Sequence, residues 1–150
     1  MEHPEISKKK MKPTLFLIAT LLFGSVVSGM AGAVVKKESP AQIAAKKNFE
    51  SVKASSAGGD AVKLRELADL YYAGKGVARN YIEAYKSYLA SAEKGDVLSE
   101  ATVAWMLRNG KGVTKDYKKS MEWYTKAAEK GHVEAQLGLA EIYYNKVGLS

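Results

Sequence analysis

From Asp60 onward the apolar residues return at helical intervals. Leu64, Leu67, Ala68 and Tyr71 fall at i, i+3, i+4 and i+7, the spacing that gathers side chains on one face of an α-helix. Asp60 ahead of them is a side chain that accepts from the free backbone N–H groups of a first helical turn. Gly74 behind them can take the left-handed conformation at a helix end without penalty. A helix is therefore predicted from Asp60 to Ala73. A second begins after Asn80, with Glu83 three residues on, as in a capping box. Further along, Tyr117, Ser120, Tyr124, Ala127 and Ala128 share one helical face, and Gly131 closes that helix. Upstream, Ser39-Pro40 reads as a cap followed by proline at the first helical position. Ala41, Ala45, Phe49 and Val52 continue the helical spacing, predicting a helix from Pro40 to Ala54 and a loop from Ser55 to Gly59.

The pattern is periodic on a longer scale. Gly74-Lys75-Gly76-Val77 recurs as Gly110-Lys111-Gly112-Val113, a shift of 36 residues. The same shift carries Tyr81 to Tyr117, Tyr88 to Tyr124, Gly59-Asp60 to Gly95-Asp96, and Ala92-Glu93-Lys94-Gly95 to Ala128-Glu129-Lys130-Gly131. Each unit reads as two helices, A and B, joined by a GKGV turn. Phe49, Val52 and Gly59 map onto Tyr85, Tyr88 and Gly95, so the helix at Pro40 is a degenerate helix B. The expected order is B-A-B-A-B-A. A helix pair with one apolar stripe cannot bury it alone, so neighbouring units must stack to make a core. Small residues (Ala84, Ala92, Ser120 and Ala128) let the helices approach, and tyrosines fill the gaps.

These units resemble Sel1-like repeats, relatives of the tetratricopeptide repeat. The family pattern runs A-Q-x-x-L-G-x-x-Y-x-x-G-x-G-V, then D-Y-x-x-A-x-x-W-Y-x-x-A-A-x-x-G. The last unit matches it at Ala135, Gln136, Leu139 and Tyr143, and the middle unit at Gly110, Gly112, Val113, Asp116, Tyr117, Trp123, Tyr124, Ala127, Ala128 and Gly131. The first matches at Leu67, Tyr71, Gly74, Gly76, Val77, Tyr81, Ala84, Tyr88, Ala92 and Gly95. There are departures: the glycine after the helix A leucine is Ala68, Ala104 and Ala140, the helix A tyrosine becomes Leu107, and the helix B tryptophan becomes Ser87. The resemblance implies an all-α chain, an α/α solenoid of helix-turn-helix repeats, divided as 59–94, 95–130 and a partial unit at 131–150. A linker and capping helix occupy 34–58.

The first 33 residues read as an address. Lys8, Lys9, Lys10 and Lys12 precede an uncharged apolar run from Thr14 to Val27, and small residues end at Ala31-Gly32-Ala33. This is the order of a secretory signal peptide. The competing reading is an uncleaved anchor, since Thr14 to Val35 carries no charge over a length that can cross a bilayer. In both, the lysines keep the N-terminus inside and the repeats outside, so a periplasmic or secreted location is expected. Contact with a membrane is expected only through an uncleaved segment.

Chemistry changes this picture little. The chain has no cysteine and two histidines, His3 and His132, which removes disulfides, thiol nucleophiles and His- or Cys-built metal sites. His132 stands at a helix start, where capping is its expected role. The GKG turns lack the length and the following Ser or Thr of a phosphate loop. No catalytic residue, cofactor or metal site is expected. Some Sel1-like proteins are described as acting on β-lactams, but those are cysteine-rich. Net charge is +7, with signs alternating along the chain, not gathered with aromatics as a nucleic-acid binder gathers them, so no nucleic-acid partner is expected.

What remains is a surface. In related repeats helix A lines the concave face. Beside the core stripe lies a second one: Arg65, Asp69 and Tyr72, then Ala101, Trp105 and Arg108, then Leu137, Glu141 and Tyr144. Trp, Tyr and Arg are the types enriched where binding energy concentrates. Arg65, Asp69, Tyr72, Trp105, Arg108, Glu141 and Tyr144 are therefore the expected protein- or peptide-binding residues. The alternative is that Trp105 and the tyrosines pack against the next helix. By analogy of fold the chain is a non-catalytic binding protein. Its rivals are a cell-envelope enzyme or enzyme subunit acting on wall material, and a membrane-anchored scaffold. The last helix A has no helix B behind it, so Leu139, Ile142 and Tyr143 are expected to form an exposed apolar face for self-association or for the partner.

Overall fold

The computed structural model describes residues 37–145. The predicted export segment and the end of the last loop lie outside the described residues. Six helices follow one another: α1 (Pro40–Ser56), α2 (Ala61–Ala73), α3 (Tyr81–Ala92), α4 (Val97–Asn109), α5 (Tyr117–Glu129) and α6 (Val133–Tyr144). Among the described residues there is no strand. Each helix packs on its neighbours in the chain, and α4 also touches α6. This is the α/α solenoid that the periodicity predicts.

Every helix is capped by a side chain at its start. Asp60, Asp96 and Asp116 accept from the N–H groups of Lys63, Ser99 and Lys119 at 2.9, 2.8 and 3.0 Å. Asn80 Oδ1 accepts from Ile82 and Glu83, both at 3.1 Å. The capping box expected there is only half made, because the Glu83 carboxylate accepts from Lys86 at 2.7 Å instead. A complete box forms at α1, where Ser39 and Gln42 bond each other's backbone N–H at 3.2 and 2.8 Å. Helix α1 runs two residues past its expected end. Ser56 sits where Ala92 sits one unit later, buried, with its hydroxyl returned to the Lys53 carbonyl at 2.8 Å.

The core forms two clusters. One joins Ala68, Ala84, Tyr88, Ala92, Val103, Met106 and Leu107; the other joins Ala101, Ala104, Tyr124, Ala127, Ala135 and Ile142. Helix α4 supplies both, since it is covered on two sides. Five of the alanines, Ala68, Ala84, Ala104, Ala127 and Ala135, are fully buried, which brings backbones close and leaves the tyrosine rings to fill the space. Leu64 and Tyr71 of the expected α2 stripe are only half-buried, because α1 packs less extensively on α2 than α3 does.

Ile142 corrects an expectation. It is 2% exposed, not part of an open face. Ala135, Gly138 and Ile142 fall at i, i+3 and i+7 and turn inward against α5, leaving Leu139 half-buried and Tyr143 exposed one step around the helix. Two turn glycines are fixed by more than conformation. Gly76 and Gly112 have φ of +75° and +70°, and a Cβ on either would strike the backbone carbonyl of the helix B before it, at Ala45 and Tyr81 respectively. The GKGV turn is thereby keyed to the preceding helix in both units.

Candidate functional site

The A helices α2, α4 and α6 border a groove of about 510 Å³. Helix α4 presents Leu98, Ala101, Thr102, Trp105 and Arg108 to it, a stripe at intervals of one, three and four residues. Tyr72 of α2 closes one side, and Leu137, Gly138 and Glu141 of α6 the other. Tyr88 and Tyr124, from the B helices behind, form the floor, while His132 and Glu134 stand at the entry to α6.

Trp105 holds the centre. Its ring meets Tyr72 edge-on, with centroids 6.5 Å apart and planes at 69°, and Tyr72 in turn meets Tyr81 at 5.0 Å. Trp105 nevertheless stays 38% exposed. It packs against its neighbour and still offers a face to the groove. At one end Arg108 bridges α4 to α6 by an ion pair with Glu141. That hydrogen bond is the main cause that raises the Arg108 pKa, so the guanidinium is charged throughout.

Of the seven expected residues, Tyr72, Trp105, Arg108 and Glu141 line this groove. Arg65 instead pairs with Asp96 at 3.3 Å, tying α2 to the start of α4. Asp69 accepts from the Tyr88 hydroxyl. Tyr144 projects beyond the groove, almost fully exposed. The stripe read from the sequence was also too narrow. Leu98 and Thr102 lie one turn before Ala101 and Trp105 on the same face, and extending the pattern by one turn finds them. The floor tyrosines carried no such signal, because their repetition marks them as core.

Both floor tyrosines have raised pKa values. Burial is the largest cause for each, and for Tyr88 the bond to Asp69 adds to it, since that carboxylate stabilises the protonated phenol. His132 is a helix cap, its Nδ1 accepting from the Ala135 N–H at 3.2 Å. Among the described residues no group of three His, Cys, Asp or Glu side chains could hold a metal.

A buried polar seam lies beside the groove, unannounced by the sequence. Ser99 donates to Ser91 at 2.8 Å, and Ser91 to the Ala61 carbonyl at 2.7 Å. Next to it Glu100, 3% exposed, takes Lys130 Nζ on one oxygen at 2.6 Å, while its Oε2 has no protein partner. Lys130 also reaches the Gly95 carbonyl at 3.3 Å. The seam ties the start of α4 to the ends of α3 and α5.

Residues 64–96 and 99–132 match the family model of the Sel1 repeat. The chain carries Sel1 repeats. Sel1 repeats generally mediate protein–protein interaction. Among solved structures, the chain is similar to a protective antigen present in uropathogenic Escherichia coli strains displaying an SLR fold, at 31% identity over 66% of this chain and 21% of that one, with a TM-score of 0.63. It is similar to a Sel1 repeat protein from Oxalobacter formigenes at 29% identity over 69% of this chain and 42% of that one, with a TM-score of 0.64. Helicobacter pylori cysteine rich protein B shares the fold at 24% identity, a TM-score of 0.57 and coverage of 60% and 68%. The chain thus spans 21% and 42% of the first two Sel1 structures. No curated protein matches it.

Proposed function

We propose that the Sel1 repeats of this chain bind a protein or peptide segment in the groove between α2, α4 and α6, without catalysis, outside the cytoplasm. The observation that carries the reading is the half-exposed Trp105, set between Tyr72 and the Arg108–Glu141 pair in an open, largely apolar groove. Aromatic and Arg side chains in a pocket that water can leave are where binding energy concentrates. Of the groove's ionisable groups, Glu141 is engaged with Arg108 and His132 Nδ1 with a backbone N–H, and Glu134 stands mostly exposed at the entry, so no two carboxylates are enclosed together. A general acid or base must instead reach the substrate. This supports binding over the envelope-hydrolase reading.

The test is affinity capture from the envelope fraction, followed by titration of the identified partner. Trp105→Ala with Arg108→Ala is expected to weaken binding roughly thirtyfold or more, as loss of a binding hot spot does, while circular dichroism and thermal midpoint stay close to wild type. Undiminished binding by a folded double variant overturns the proposal. The location rests on the basic, apolar and small-residue order of the first 33 residues. Fractionation should find the chain outside the cytoplasm, and a mature N-terminus near Val34 by mass spectrometry would select cleavage over anchoring. Cytoplasmic retention overturns that part alone. The exposed side of α6, at Leu139 and Tyr143, is the proposed surface for self-association, and a monomer at high concentration in sedimentation counts against it.

A further inference from the structure

The antiparallel run of helices sends alternate loops to opposite edges of the stack. The A-to-B turns are Gly74–Asn80 and Gly110–Asp116. They hold Lys75, Arg79, Lys111 and Lys115, four cations against one acid, the helix cap Asp116. The B-to-A turns on the other edge hold Asp60, Glu93 and Asp96 against Lys94 and Lys130. The charges, which alternate in sign along the sequence, are therefore sorted by the fold so that one edge is basic and the other close to balanced. The shift of 36 residues takes Lys75 to Lys111 and Arg79 to Lys115, so the basic edge is a repeated feature of the units.

Among the described residues none of these four cations pairs with a carboxylate; the ion pairs all lie elsewhere. The acids nearest the edge are committed: Asp116 caps α5 and holds Lys119 at 3.4 Å, Glu83 holds Lys86, and Glu38 holds Lys46. Three of the four instead lie over aromatic rings. Lys111 Nζ lies 4.2 Å and the Arg79 guanidinium 5.9 Å from the Tyr81 ring centroid, and Lys115 lies 5.9 Å from that of Tyr117. Beside Tyr81 the side chain of Ile82 is 57% exposed.

We propose that this edge docks on a bilayer surface rich in anionic, phosphate-bearing lipid headgroups. The match is chemical. Repeated Lys and Arg supply attraction to an anionic surface, and Tyr with an exposed aliphatic side chain is the composition that settles at a headgroup boundary. A single-stranded nucleic acid fits less well. It needs open aromatic faces on which bases stack, and Tyr81 is already covered by Lys111, Arg79 and the edge of Tyr72. The groove opens between the A helices, so a chain resting on this edge keeps it available to a partner.

The test is co-sedimentation of the full chain with phosphatidylglycerol-containing vesicles and with pure phosphatidylcholine vesicles. The variant K75E/R79E/K111E/K115E is compared with K53E/K86E/K94E/K126E, which changes net charge equally at exposed positions away from this edge. The basic and apolar N-terminal segment is common to all arms, so the difference between the edge variant and the control variant reads the edge. Wild type and the control variant should prefer anionic vesicles. The edge variant should lose roughly a hundredfold or more of that preference, given four cations at a charged surface. About 1 M salt, where screening reaches about 3 Å, should abolish it. Equal partitioning of wild type between the vesicle types overturns the proposal, as does an edge variant that binds like the control. Displacement by inorganic phosphate beyond that by chloride at equal ionic strength also overturns it, because it assigns the cations to a single phosphate instead of a surface.

Discussion

The α2–α3 and α4–α5 units carry the same scaffold and different contents. Gly74 and Gly110 end the A helices at φ of +71° and +67°, and Ala68 and Ala104 are buried alike. Tyr88 and Tyr124 are 5% and 4% exposed. The positions beside them diverge. Leu64 becomes Glu100, Arg65 becomes Ala101, Asp69 becomes Trp105 and Tyr72 becomes Arg108. The consequence shows at the two tyrosines. Tyr88 finds Asp69 for its hydroxyl, whereas Trp105 stands at the matching place in the next unit and leaves the Tyr124 phenol at the floor of the groove. Residues that set the distance between helices are held in common, and residues that decide what the surface offers are free to change.

The largest effects are expected where the scaffold is shared. Gly112→Ala must put a side chain at φ of +70° and into the backbone carbonyl of Tyr81. Strain and overpacking together should cost about 3 kcal/mol or more. Gly76→Ala meets the same obstacle at Ala45, but α1 ends the described stack and packs on α2 alone. It can move aside, so about 2 kcal/mol is expected. Urea denaturation of both variants checks the pair. Equal losses would show that the end helix is held as firmly as an internal one.

A smaller effect separates the two seams. Lys130 pairs with buried Glu100, while the matching Lys94 faces a unit with Leu64. Lys130→Met strands a buried carboxylate. Removing one partner of a buried pair costs about 3–5 kcal/mol, and because the ammonium is 41% exposed the expectation falls to about 2 kcal/mol. Lys94→Met should stay within about 0.5 kcal/mol of wild type. Glu100→Leu restores the first unit's residue and should be neutral or stabilising, since its orphan Oε2 gains nothing from burial. Thermal midpoints at neutral pH distinguish the three. A large loss from Glu100→Leu would mean that the seam itself holds the stack together.

The fold was legible because the repeat states it twice. Glycines, alanines and tyrosines in one register fix turns, close approaches and fillings, and capping residues mark each helix start. The groove was half legible. A stripe three and four residues apart finds Trp105, Arg108 and Glu141, but a helical wheel does not show which neighbour a side chain reaches. Arg65 lies on the predicted stripe and turns to Asp96, a contact set by the offset between α2 and α4. Ile142 was misplaced for a related reason. The face of α6 that turns inward is selected by Gly138, whose missing Cβ leaves room for the Tyr124 ring; a Cβ there would lie 2.6 Å from Cζ. The basic edge was hidden most completely, because signs that alternate along the chain separate only once the loops fall on opposite sides.

The smallest expected effect isolates the one polar difference between the paired tyrosines. Tyr88→Phe removes a hydrogen bond to Asp69 while keeping the ring, and should cost about 1 kcal/mol at neutral pH. Tyr124→Phe should cost almost nothing, since its floor position has no carboxylate at the place of Asp69. Alkaline pH sharpens the contrast. The folded chain raises the Tyr88 pKa through burial and the Asp69 bond, well above the ordinary value of 10.0. The folded state therefore favours the protonated phenol, and that contribution is intact below about pH 10 and drains away as pH rises beyond it. Tyr124 is shifted in the same direction by burial, with no such bond to add. Stability measured from about pH 9 to 11 should fall least steeply in Tyr88→Phe, more in Tyr124→Phe and most in wild type. If the two variants give the same slope, the Tyr124 phenol stays protonated in the folded chain as fully as Tyr88 over this range, and the Asp69 bond makes no difference there.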